Sequence, residues 1–128
     1  MTRRAISTTG APAAIGPYSQ GIATETLLFT AGQAALDPAT AALVDGGIEP
    51  ETERVMANLT AVIDAAGCGW GDVVKTTVFL VDMADFGAMN AVYGRFVSDP
   101  APARSTVAVA GLPKGARVEI EAVARLRS

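Results

Sequence analysis

Residues 72–82 read DVVKTTVFLVD, a run in which β-branched and aromatic side chains leave little polar relief. The pattern predicts a strand over Val73–Val81, with Val74, Thr76, Val78 and Leu80 on one face. Phe79 and Val81 make the opposite face apolar too. A strand apolar on both sides has to be covered on both, which fits helices on one side and another subunit on the other.

Upstream, GCGWG at 67–71 closes a helical pattern rather than following a strand, so it reads as a helix end and not as a phosphate loop. The helix is predicted over Pro50–Ala66, with proline in the first helical position and Val55, Leu59, Val62, Ile63 and Ala66 on one face. Glu53, Arg54, Asn58 and Asp64 project elsewhere, and Asn58-Leu59-Thr60, a glycosylation sequon by pattern, reads as helix surface. Further upstream, short strands are predicted near Arg4–Ser7, Ile22–Thr24 and Leu27–Ala31. Between the first two lies TTGAPAAIGPYSQG, a loop in which Pro17 presents Tyr18 either as a pocket wall or as a surface anchor.

Downstream, Asp82 caps a second helix predicted over Ala84–Val97, with Phe86, Met89, Tyr93, Phe96 and Val97 as its apolar stripe. Asn90 lies beside that stripe, facing a pocket or solvent. SDPAPA at 98–103 then forces extended backbone ahead of Arg104. The order β–β–β–α–β–α–β–β indicates an α+β fold, a single mixed β-sheet with both helices on one face.

The last two strands lie in PARSTVAVAGLPKGARVEIE, residues 102–121. Arg104 enters the first and Glu119 lies in the second, on the face away from the helices by strand alternation. An arginine fork grips a carboxylate through two bonds, and a glutamate can activate water. A loop-anchoring salt bridge and a solvated strand residue are the plainer readings. A hairpin centred near Pro113 would place Glu119 opposite Val107 and Arg104 opposite Ala122, an offset of roughly 10 Å. That gap suits a small acid, and a neighbouring subunit could close it.

Composition narrows the chemistry. The 128 residues make one domain, 1–128, with 50% hydrophobic residues and a net charge of −3. Mean hydropathy is +0.33, a surplus that fits a subunit interface or simply the high alanine content. No basic footprint for nucleic acid exists. No apolar run approaches the ~20 residues of a membrane span. Arg3 and Arg4 precede no apolar leader. The single cysteine, Cys68, suits a reducing cytoplasm and reads as a small apolar residue. Without any histidine, Ser-His-Asp and Cys-His catalysis are excluded.

Several separated blocks then coincide in order: Ala14-Ile15-Gly16-Pro17-Tyr18 with Gln20-Gly21, Gly32-Gln33, Val74-Lys75-Thr76-Thr77-Val78, Asn90 with Tyr93, Pro102-Ala103-Arg104-Ser105, and Val118-Glu119-Ile120-Glu121. With these the chain resembles the RidA/YjgF family of enamine/imine deaminases over almost its whole length. The resemblance implies a chorismate-mutase-like fold and a homotrimer with sheets around a central barrel and sites between subunits. It also implies a cofactor-free hydrolase, without metal, that converts 2-imino acids to 2-oxo acids and ammonia. By resemblance, Arg104 holds the carboxylate, Glu119 helps position the attacking water, and the backbone at Thr106 holds it. Tyr18, Asn90, Ala31 and Gly32 match pocket positions. Ala31 stands where the family often has serine, and Thr106 where it often has cysteine. The first departure bears on substrate range. A non-catalytic small-acid-binding or interaction module, or a hydrolase of another small C–N bond, remain the alternatives.

Overall fold

The structure, a computed structural model, describes residues 2–127. Six strands form one sheet: β1 (Arg4–Ile6), β2 (Gly21–Ala23), β3 (Leu27–Thr30), β4 (Val73–Leu80), β5 (Ala103–Ala108) and β6 (Val118–Arg125). Their spatial order is β1-β2-β3-β6-β4-β5, and every pairing is antiparallel except the parallel β4–β5 pair. Two helices, α1 (Ile48–Ala65) and α2 (Phe86–Tyr93), cover one face. The α+β class, the element order and the single mixed sheet are those expected from the sequence.

The core lies between the helices and the inward side of β4 and β6. Val78, Leu80, Val118 and Ile120 meet Leu59 and Ile63 of α1, all but fully buried. The strict alternation along β6 produces this directly: Val118, Ile120, Ala122 and Ala124 are buried, while Glu119, Glu121 and Val123 between them are half-buried on the other side. In β4 the alternation is reset by a register shift between Val73 and Lys75. Val73 is therefore buried and Val74, expected inside, is 49% exposed.

Four further expectations are corrected. First, α1 begins at Ile48, so Pro50 is its third residue; the amides of the first turn have no intrahelical acceptor, and proline costs nothing there. Second, Asn58 is buried rather than superficial. Its Nδ2 donates to the carbonyls of Ala34 (3.1 Å) and Leu36 (3.0 Å), and its Oδ1 accepts from Arg54 Nε at 3.0 Å. It thereby fastens the loop after β3 to α1. Third, α2 spans only eight residues, because the chain after it tightens into i→i−3 bonds from Arg95 to Val92 and from Phe96 to Tyr93. Phe96 and Val97 still pack against the core.

The fourth correction matters most for function. β5 and β6 do not form a hairpin; β4 lies between them. The crossover β4–α2–β5 returns the chain parallel to β4 and seats β5 at its open side, as such units generally do. The connector to β6 then passes over the end of β4: Val109 N–H donates to Leu80 at its start, and Val81 N–H donates to Arg117 at its finish. Lys114, at a φ of 59°, makes the left-handed step of that connector.

Candidate functional site

The inserted strand fixes where the charged pair can go. Arg104 is in register with Thr76 of β4, and Glu119 with Phe79. The two are therefore three residues and two strands apart, roughly 14 Å between Cα positions at about 3.4 Å per residue and 4.8 Å per strand. They also face opposite ways. Thr76 points to the helices and Phe79 away from them, and residues in register share a face. The expected gap between Arg104 and Glu119 does not exist within one chain.

On the helix side, Arg104 lies along α2. Its guanidinium carbon is 4.8 Å from the centre of the Tyr93 ring and 5.5 Å from that of Phe86. Positions 86, 90 and 93 are spaced by four and three, so Asn90 shares the face that carries both rings. Asn90 Oδ1 is buried without a hydrogen-bond partner, and so is the hydroxyl of Thr106, two residues beyond Arg104 on the same side of β5. Arg104 has no carboxylate partner among the described residues, whereas Arg117 pairs with the buried Glu51 at 2.6 Å and Arg127 with Asp72 at 2.8 Å. This half gathers a committed position, uncommitted donors and two unused polar groups.

On the other side, a cavity of about 370 Å³ is lined by Ile15, Tyr18, Ala31, Gly32, Gln33 and Glu119, with Leu36 and Pro113 among its apolar walls. The segment after β3 is held against β6 by a reciprocal pair: Gln33 N–H to Ile120 O at 2.9 Å, and Ile120 N–H to Gln33 O at 3.1 Å. That pairing carries Gly32 under the Glu119 side chain. A Cβ on Gly32 would come within 2.5 Å of Glu119 Oε2 and 2.8 Å of Cδ, so the carboxylate occupies its place because residue 32 has no side chain. Burial, reinforced by the negative charge of Glu121, raises the Glu119 pKa above the usual 4.5. Tyr18 is half-exposed, its hydroxyl accepting from Ile15 N–H at 3.4 Å. The Ala31 N–H donates to Gln20 O at 2.9 Å, and the Ala31 side chain is a methyl group with no hydroxyl to offer the cavity.

The seven sequence candidates thus divide. Arg104, Thr106 and Asn90 gather beside α2, and Tyr18, Ala31, Gly32 and Glu119 gather around the cavity. Phe86 as a platform and Gln33 as a cavity wall were not among them. The spacing of Phe86 and Tyr93 along one helix face was the available signal for the first. Among the described residues no cluster of His, Cys, Asp and Glu is arranged to hold a metal ion, and no helix is long and apolar enough to cross a membrane.

Comparison with known proteins agrees with this framework. The sequence pattern of the family described as endoribonuclease L-PSP matches residues 8–126. A RutC family protein of Synechocystis is 55% identical over 128 residues, covering 98% of each chain. A mouse protein named 2-iminobutanoate/2-iminopropanoate deaminase is 49% identical over 124 residues, 97% of this chain and 92% of the relative. Among solved structures, E. coli TdcF with bound serine superposes with a TM-score of 0.91 at 39% identity, covering 98% of this chain and 99% of that one.

Proposed function

The chain belongs to the endoribonuclease L-PSP family of RidA and YjgF proteins, and from that membership we propose that it hydrolyses reactive 2-imino acids to 2-oxo acids and ammonia. The observation that carries the reading is Arg104: a guanidinium packed on two aromatic rings, with no carboxylate partner among the described residues and with the unpartnered Asn90 Oδ1 and Thr106 hydroxyl on the same side. Such a fork is set for the planar carboxylate of a small acid. The site is completed between two copies, Arg104, Thr106 and Asn90 of one meeting the Glu119 cavity of the next, in a homotrimer. The exposed apolar side chains Phe29 and Val107, on the Glu119 face, suit burial in that assembly.

The steps balance without a cofactor. Arg104 fixes the carboxylate and so the adjacent C=N carbon. Water adds to that carbon of the protonated imine while one water proton passes to the Glu119 carboxylate, forming a neutral carbinolamine. Glu119 returns that proton to nitrogen, the C–N bond breaks as the hydroxyl oxygen forms the C=O bond, and the hydroxyl proton passes to the Glu119 carboxylate as ammonia leaves. In sum, one 2-imino acid and one water yield one 2-oxo acid and one ammonia. Products of pyridoxal-phosphate dehydratases, of the 2-aminoacrylate and 2-aminocrotonate type, are the expected substrates, which makes the role one of limiting metabolite damage in the cytoplasm.

A coupled assay tests the reading. Threonine dehydratase generates the imine, and its disappearance is followed with and without this protein; identical rates would refute the deaminase. The bound serine of TdcF favours one other reading, a small-acid-binding module without turnover. That reading predicts 2-oxo acid binding dependent on Arg104 and no acceleration of imine loss.

A further inference from the structure

Arg104 is held by an arrangement that closes on itself. Its backbone is paired with Thr76 across β4 and β5. The Thr76 hydroxyl lies 2.7 Å from the Tyr93 hydroxyl, both buried, and the Tyr93 ring in turn carries the Arg104 guanidinium at 4.8 Å. Packing alone does not call for this chemistry. A valine and a phenylalanine would fill the same volume without placing two hydroxyls in the core, where each needs a partner. What the hydroxyl pair adds is direction: it pins the far end of the Tyr93 ring to the very residue in register with Arg104. The ring face is thereby fixed relative to the strand from which the guanidinium extends.

We propose that Thr76 and Tyr93 are positioning residues that lock the plane of the Arg104 guanidinium and so preset the site for two-point capture of a carboxylate. With an aromatic face against the guanidinium, its N–H edge is left to the ligand. Phe86 extends the platform, and the unpartnered Asn90 Oδ1 lies on the same helix face between the two rings. The effect falls on binding and orientation of the acid, not on proton transfer, because both hydroxyl-bearing side chains are buried in the core.

This inference rests on the carboxylate-binding role of Arg104, so its test measures binding separately from turnover. The probes are 2-oxobutanoate binding by calorimetry, kcat and KM on dehydratase-generated imine, and thermal melts. Tyr93→Leu is expected to weaken 2-oxobutanoate binding about 5- to 30-fold, the range of a partly desolvated cation–π contact, and to raise KM in step with kcat little changed. Tyr93→Phe and Thr76→Val are each expected to weaken binding about 3-fold, and the double variant no further than either single one. Tyr93→Leu that folds and binds like wild type overturns the proposal, as does a double variant whose loss is the full product of the singles. If Tyr93→Leu does not fold, the Phe/Val cycle decides. Wild-type protein that binds 2-oxobutanoate without hastening imine hydrolysis would defeat the deaminase and leave this inference standing. Normal hydrolysis with KM unmoved in all the variants would defeat this inference alone.

Discussion

The two halves of the candidate site are built by opposite means, one beside α2 and one on the far face of the sheet. Arg104 is held by what surrounds it: two aromatic rings, a helix face and a paired strand. Glu119 is held by what is missing, since the absent side chain of Gly32 leaves the space its carboxylate occupies. The difference fits the tasks proposed for the two groups. An anion receptor needs its charge exposed at a fixed angle, and aromatic faces restrain a guanidinium without consuming its donors. A proton carrier needs partial desolvation, which draws its pKa toward neutrality, and that comes from burial in a narrow cavity.

Striking each half alone should break that comparison in different currencies. Glu119→Gln keeps the shape and removes the proton acceptor, so kcat should fall about 10²- to 10⁴-fold, with 2-oxobutanoate affinity nearly unchanged in calorimetry. Arg104→Ala removes a charge-assisted contact and should raise KM and the dissociation constant of 2-oxobutanoate roughly 10- to 200-fold. If both substitutions altered binding alike, the division of roles would be wrong. Arg104→Lys should rescue little, because a point charge does not reproduce the planar fork.

A milder effect tests whether the halves come from different chains. Arg104→Ala and Glu119→Gln, co-expressed in equal amounts and assembled at random, should recover about a quarter of wild-type activity in a cyclic trimer, since one site in four draws both intact groups. Two halves from the same chain would recover nothing. Activity measured on the purified mixture, against each variant alone, separates the cases.

How much of this was readable in advance depends on the range of the interactions. The β6 alternation and the α1 stripe are local patterns, and the sequence shows Val118–Ile120–Ala122–Ala124 and Val55–Leu59–Val62 pointing inward as they do. The position of β5 is not local. Two strands joined by a short connector read as a hairpin, and only the pairing of β4 with both neighbours puts Phe79 between Val107 and Glu119. The face of Glu119 survived this change because alternation fixes it within its own strand. Arg104 keeps the face of Ala122 as well, because Thr76 is in register with both; what changes is that β4 lies between them. Asn58 was misread for a related reason: its partners, the carbonyls of Ala34 and Leu36, lie more than twenty residues away and leave no mark in helical periodicity.

The smallest expected effect probes the electrostatics of the Glu119 half. Its pKa is raised first by burial and second by Glu121, which lies two residues along the same strand face. As the proposed base, Glu119 would act when ionised, so kcat/KM should fall as pH drops through a value above 4.5. Glu121→Gln removes the second cause only, so that acid limb should move toward 4.5 by a fraction of a pH unit. Stability should respond with a definite sign. A raised carboxylate pKa favours the fold below the unfolded value and loses that contribution as pH rises through the folded one. Glu121→Gln lessens the loss, so the variant should melt slightly higher than wild type at pH 7 and equally at low pH. An acid limb that does not move would leave burial as the sole cause, and the cavity around Gly32 would then set the acidity of Glu119 unaided.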